Sequence, residues 1–473
     1  MKTMTKIIAA ILAVLSPLLL LFAAALSISP VYEDTFVGAL DEKYERLYSI
    51  EEEKLVIVGG SSVAFGYDSE ILEKYLEMPV VNFGLYAALG TKVMMDLSRD
   101  AIGEGDIVLL APELDAQTLS LYFNAETMWQ ASEGAPEMLL RLEADDTLAM
   151  LGGMWKYTTD KIAAHLSGEY PSPDGVYAAD SFDARGDILY PRNENIMKGY
   201  YDPNVMLSLA PDILSDEFVD YVNEYIEHCE SRGATVYFAF CPMNERGLTR
   251  DADPEAFESY LRDRIDCTVL GSITDHIFEA GYFYDTNLHL NDAGTIAHTV
   301  AVTRSLLVER EIPRRVSVEI PSAPELPLID LVFEGEDANA VYFTFEMSDD
   351  GMILTGLSEL GKTMKTLTVP VGYDGYLVTT IASGALSGGV LDTLILPEQS
   401  RVFAIQNGAF TDSGLRHLVL GIRDESSILP PTSFVGVADG FLVHVPKGSA
   451  YSAGYYWSER GLTFVGDAES YLP

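Results

Sequence analysis

Ser61 and Ser62 stand in the stretch Val56-Ile-Val-Gly-Gly-Ser-Ser-Val-Ala-Phe-Gly66, where a hydrophobic run ends in two glycines and two serines and a helical pattern begins near Asp68. A serine at a strand-to-helix turn is held at the carboxyl edge of a sheet, its hydroxyl exposed and backbone N–H groups at hand for a developing oxyanion. Turns of this composition also bind phosphate or simply reverse the chain. A serine hydroxyl is a weak nucleophile and needs a base. Among His165, His228, His276, His289, His298, His417 and His444, the surroundings single out His289. His228 and His276 fall in amphipathic helical patterns and read as packed or surface groups, and His417 and His444 fall in a repetitive C-terminal stretch. His289 lies in Tyr284-Asp285-Thr-Asn-Leu-His289-Leu-Asn291-Asp-Ala-Gly294, after a hydrophobic run and before a helix that Asn291 is suited to cap. Asp285 is spaced to orient the imidazole, completing Ser…Asp…His in chain order, the constellation of acyl transfer.

These groups need a scaffold that brings them to one edge. Short apolar runs at 54–58, 80–83, 106–110, 235–240 and 281–284 alternate with amphipathic segments such as Ser69–Leu76, Asp216–Ser231 and Asp292–Glu309. Continuously apolar strands between helices predict a doubly wound α/β fold with a parallel sheet covered on both faces. Ligands in such sheets bind outside the carboxyl ends of the strands, where Ser62 and His289 are both expected. Gly233 sits where a helix C-cap belongs.

Residues 116–211 break the alternation. They carry Tyr122, Phe123, Trp129 and Trp155 and a Pro/Gly/Asp-rich section, and read as an insertion suited either to roofing a cleft or to plain packing. The expected organisation is an N-terminal apolar segment over 1–30, an α/β domain over 31–312, a linker and entry strand over 313–349 and a β-rich module over 350–473. In that module Val378-Thr-Thr-Ile381-Ala-Ser-Gly-Ala-Leu386 aligns with Val402-Phe-Ala-Ile405-Gln-Asn-Gly-Ala-Phe410, a period of roughly 24 residues. Leu367-Thr-Val-Pro370, Leu394-Ile-Leu-Pro397 and Leu418-Val-Leu420 form a second recurring pattern, as in strands stacked in a solenoid.

Thirty basic against 72 acidic side chains give a formal net charge of −42, which repels phosphate backbones and argues against a nucleic-acid partner. Cys229, Cys241 and Cys267 show no CxxC spacing, which excludes a disulfide framework and a cysteine-based zinc site. Lys2 and Lys6 precede a low-polarity run from Ile7 to Ile28, long enough to cross roughly 30 Å of hydrocarbon as a helix. The lysines before it and Glu33, Asp34, Asp41 and Glu42 after it favour a single-pass anchor in the cell membrane, with the N-terminus cytoplasmic and the bulk of the chain extracellular. Cleavage of this run as a signal, at Ala23-Ala24-Ala25, is the less favoured reading.

Over about residues 50–310 the chain resembles the SGNH (GDSL-type) hydrolases. Gly60-Ser61-Ser62 with Gly66 matches the first block of that superfamily, Asn82-Phe-Gly84 the second, and Asp285 with His289-Leu-Asn291 the last. The resemblance implies a flavodoxin-like three-layer sandwich with Ser62 as nucleophile, His289 as base, Asp285 as its orienting acid, and the Ser62 and Gly84 N–H groups as oxyanion donors. It implies no metal or organic cofactor. Two features depart from the pattern: the aspartate lies four residues before the histidine, and Glu113, in Ala111-Pro-Glu113-Leu-Asp115, occupies the third block where an oxyanion asparagine is usual. A carboxylate there opposes the developing charge unless it is protonated or turned away. The chain is most similar to the membrane-anchored branch that includes the D-alanyl-lipoteichoic acid transfer protein and alginate-acetylation proteins.

Residues 350–457 resemble the BspA-like leucine-rich repeats, with Phe441-Leu-Val-His-Val-Pro-Lys447 as a closing cap. The combined expectation is a serine-dependent ester hydrolase or acyltransferase acting on an envelope glycan, an acylated carbohydrate or a teichoic-acid-like polymer. The alternative is a catalytically inactive surface protein whose repeats mediate adhesion or protein binding.

Overall fold

The computed structural model describes Ser16, residues 20–421 except 169, 172, 174, 203–204, 250 and 327–330, and then 437, 440–447 and 463–472. The expected membrane anchor lies mostly outside the described residues; its described part is helical over 20–27. No helix among the described residues is long and apolar enough to cross a membrane. The chain is mixed α/β with parallel sheets and divides into two units.

The first unit comprises Met1–Asn193, Leu207–Tyr282 and Leu288–Ala323. Its centre is a five-stranded parallel sheet in which β2 (Val80–Gly84), β1 (Leu55–Gly59), β3 (Ile107–Leu110), β4 (Thr235–Phe238) and the edge strand Thr268–Val269 follow one another in space. Leu55, Ile57, Ile107, Leu109 and Tyr237 pack with Val63, Tyr67, Leu72, Val302 and Leu306, which come from helices and the turn between them. The alternate strand residues Val56, Val58, Val108, Leu110, Val236 and Phe238 are also buried. Burial of both alternating sets is why these strands read as unbroken apolar runs.

Polar residues start the helices where the sequence places them. Asp68 Oδ1 accepts from the Ile71 N–H at 3.1 Å, Ser215 Oγ from Phe218 at 3.2 Å and Asn291 Oδ1 from Gly294 at 3.0 Å. Each satisfies an N–H that has no partner within the helix itself. Gly233, at φ +91°, ends Asp216–Ser231 in a backbone conformation that side chains resist.

One expected strand is absent. Residues 281–284 do not join the sheet; Thr268–Val269 holds its far edge instead. Ala280–Tyr282 forms a 3₁₀ turn whose carbonyls serve the next helix start, Gly281 accepting from Asn291 Nδ2 at 2.7 Å and Tyr282 from the Asn291 N–H at 2.9 Å. Backbone groups committed to a helix cap are lost to a strand ladder.

The second unit comprises Glu194–Met206, Phe283–Asn287 and Pro324–Pro473. Thr366–Thr368, Thr393–Leu396, His417–Leu420, Leu442–His444 and Thr463–Val465 make a parallel ladder that aligns Leu367, Leu394, Leu418, Val443 and Phe464. A second parallel pairing sets Ile381 beside Ile405, the offset that aligns the two sequence copies. Both sets of side chains enter one core with Ala385, Leu386, Ala409 and Phe410. Stacked rungs bury apolar faces that one repeat alone leaves exposed.

Candidate active site

In the first unit the chain passes from β1 to β2 on one side and crosses back to β3 on the other. This reversal opens a crevice at the carboxyl ends of β1 and β3, the usual ligand position in such sheets. The two strand ends approach closely: a Cβ on Gly59 would lie 2.4 Å from the Ala111 carbonyl oxygen. The helix Ser61–Gly66 starts directly after Gly60. Packing it against β2 requires Gly84, where a Cβ would lie 2.3 Å from Val63 Cβ.

Ser62 is 1 % exposed, and its Oγ makes no hydrogen bond. Its backbone N–H donates to Glu113 Oε1 at 2.7 Å, and Ser61 Oγ donates to the same oxygen at 2.9 Å. Burial pushes the Glu113 carboxyl above its ordinary range and the Asp115 charge adds to this, opposed by His289 and by the two serine donors. The Gly84 N–H is directed to Asn82 Oδ1 at 3.3 Å. Both expected oxyanion donors therefore have acceptors within the protein, and that of Ser62 is a carboxylate.

His289 is 7 % exposed and stacks on Phe65 with ring centroids 4.0 Å apart and an interplanar angle of 6°. Phe65 lies one turn along the helix from Ser62, so the stack fixes the imidazole beside the helix that carries Ser62. Tyr177, from the insertion, places its hydroxyl 3.4 Å from His289 Nδ1 and its ring centroid 6.0 Å from that of Phe65. Because Ser62 Oγ is unbonded, the Ser62–His289 hydrogen bond of an activated nucleophile is not formed in this conformation. Asp285 lies in Phe283–Asn287 and belongs to the second unit, so it is not among the groups the first unit itself supplies.

Beneath this layer lies a polar network that the sequence gives no signal for. Asn82 Nδ2 donates to the Val63 carbonyl at 3.1 Å and to Asp187 Oδ1 at 2.9 Å. Asp187 also accepts from the Ser69 N–H and Oγ at 2.6 and 2.8 Å. Lys43 Nζ donates to the carbonyls of Asn82 and Gly186 at 3.0 and 2.6 Å. Burial raises the Asp187 carboxyl and lowers the Lys43 amine, the latter against the pull of Asp187 and Asp183. Asp187 comes from the insertion, and only the folded chain reveals that it braces the segment carrying Ser62.

His298, fully buried, faces the Gly66 carbonyl with Nδ1 at 2.8 Å and the Phe240 carbonyl with Nε2 at 3.2 Å. It ties the end of the serine helix to the chain beyond β4. The described residues contain no group of three or more His, Cys, Asp or Glu side chains placed to hold a metal ion. The arrangement brings a buried hydroxyl and a buried carboxylate together at the start of the helix Ser61–Gly66, with an imidazole stacked on Phe65 of the same helix. No family model matches this chain, and no curated protein matches it significantly.

Proposed function

We propose that this chain is a membrane-anchored extracytoplasmic ester hydrolase or acyltransferase of the SGNH type, acting on acyl groups of an envelope glycan or teichoic-acid-like polymer. The observation that carries the reading is Ser62, a buried and unbonded hydroxyl at the crevice between β1 and β3, on the helix whose Phe65 stacks against His289. Ser62 Oγ attacks the ester carbonyl and His289 takes its proton. The tetrahedral oxyanion is held by the N–H groups of Ser62 and Gly84. The alcohol leaves with the proton from His289, and water or a sugar hydroxyl then takes the acyl group from Ser62 by the same steps in reverse. For the carbonyl oxygen to reach the Ser62 N–H, Glu113 must withdraw from it. The C-terminal rungs, read as leucine-rich repeats, hold a protein partner.

A second reading has an observation of its own. The Glu113 oxygen on the Ser62 N–H fits an inert domain whose repeats alone carry function. A fluorophosphonate probe on the folded full chain separates the two. Labelling of Ser62 that is lost in Ser62→Ala supports the enzyme; absence of Ser62 labelling in both wild type and Glu113→Gln leaves the binding protein.

A further inference from the structure

The insertion in the first unit carries the longest helix described, Ala144–Ser167. Its inward side is settled by Asp146, Met150, Tyr157 and Lys161, all buried. At 3.6 residues per turn, Leu148, Leu151, Trp155, Ile162 and Leu166 fall on the opposite side in one stripe, with Gly152 and Thr159 between them. Leu148 is 67 % exposed, Leu151 60 %, Trp155 50 % and Leu166 84 %. The stripe runs about 27 Å at 1.5 Å per residue and contains no charge, in a chain with 72 acidic side chains. An uncharged apolar stripe of this length on a monomer's surface marks a contact rather than chance exposure.

What lies next to it identifies the partner. The described helical residues 20–27 expose Leu20, Leu21 and Leu26, and Phe22 meets Trp129 edge-on at 5.3 Å. Trp129 stacks on Tyr157 at 5.4 Å and donates Nε1–H to the Met150 carbonyl at 2.9 Å, both residues of the long helix. The chain just beyond the apolar run is clamped to the same insertion: the N–H groups of Val31 and Tyr32 donate to Glu133 Oε2 at 2.6 and 3.0 Å. Glu133 Oε1 in turn accepts from Tyr157 Oη and Lys161 Nζ, each at 2.7 Å. This part of the insertion is thereby fixed to the chain that follows the apolar run. A tryptophan among leucines suits the boundary between lipid headgroups and acyl chains.

We infer that the outward stripe of Ala144–Ser167 lies on the lipid bilayer, seating the first unit against the membrane instead of leaving it on a free tether. The inference rests on reading residues 7–28 as a membrane segment, so its test separates the two. The full chain is reconstituted into phosphatidylcholine vesicles with and without lipid brominated on its tails, and wild type is compared with Trp155→Phe. The expected result is a component of tryptophan emission quenched about twofold or more by the brominated tails and missing from Trp155→Phe. Leu148→Ser/Leu151→Ser should abolish that quenching while carbonate-resistant attachment to the vesicles persists. Resistant attachment with equal quenching in wild type and Trp155→Phe overturns the docked stripe and leaves the anchor standing. Carbonate extraction overturns the anchor, and the quenching difference then decides the stripe separately. Cross-linking of Leu151→Cys to a second copy, without quenching, assigns the stripe to self-association and overturns the inference.

Discussion

The backbone N–H of Ser62 is bonded to the side chain of Glu113 at 2.7 Å, across the carboxyl ends of two adjacent parallel strands. The N–H to which the proposed chemistry assigns the oxyanion thus already has an acceptor. In the proposed enzyme, the Glu113 carboxyl must surrender that position to substrate, and its protonation or movement gates the chemistry.

Glu113→Gln retains an oxygen that can accept from Ser62 and removes the buried charge. Labelling of Ser62 by a fluorophosphonate at pH 7 is expected to rise about tenfold or more, a fraction of what one oxyanion donor supplies in acyl transfer. An unchanged or slower rate would show that the carboxylate does not restrain the site.

Ser62→Ala should abolish turnover of a small acetyl ester by roughly 10³-fold or more. Ser61→Ala should retain most of it, since Ser61 Oγ is engaged with Glu113 and Ser62 Oγ is not. Equal losses in the two variants would dissociate Ser62 from the chemistry.

Gly84→Ala places a methyl group 2.3 Å from Val63 Cβ and 2.8 Å from the Gly60 carbonyl oxygen. Backbone cannot yield there without moving the serine helix. The variant should lose Ser62 labelling and about 1–3 kcal/mol of stability by urea titration, the usual cost of overpacking.

His276 and His298 lie 5.1 Å apart as T-shaped rings, and burial lowers both, with His276 further lowered by His298. Burial makes the folded chain take up these protons at a lower pH than the unfolded chain, whose histidines titrate near pH 6.5, although the Gly66 and Phe240 carbonyls facing His298 oppose the shift there. Their contribution to stability is therefore complete above that pH and declines as the pH falls below it, by at most about 1.4 kcal/mol per pH unit per histidine. Urea midpoints between pH 7 and pH 5 should fall in wild type and fall less steeply in His276→Gln. Parallel pH profiles would remove His276 from the acid response.

Leu394→Ala in the repeat core, where Leu394 is fully buried, should cost about 2–5 kcal/mol in the second unit. If the first unit carries the chemistry, turnover of the small ester should be unaffected under conditions where both units remain folded. A matching loss of turnover would tie activity to the repeats.

Periodicity and capping carried much of this fold in the sequence alone. Unbroken apolar runs define β1 to β4 because both faces of a parallel strand are buried, and Asp68 and Asn291 mark helix starts because a side-chain oxygen there meets an N–H without another partner. The repeat offset reappears in the pairing of Ile381 with Ile405, since stacked rungs need like residues at like positions. The run at 281–284 misleads because a short apolar stretch is equally at home beside a helix cap, and its carbonyls go to Asn291.

Local pattern also places Ser62 and His289 at strand and helix boundaries. What it does not contain is distance between segments remote along the chain. Only the tertiary structure decides that Glu113 sits on the Ser62 N–H, that Phe65 carries the His289 ring, that Asp187 and Lys43 brace Asn82, and that Asp285 falls in the other unit. Those relationships arise from how strand order and the insertion fold residues far apart in sequence into one crevice, and no residue's immediate neighbours record them.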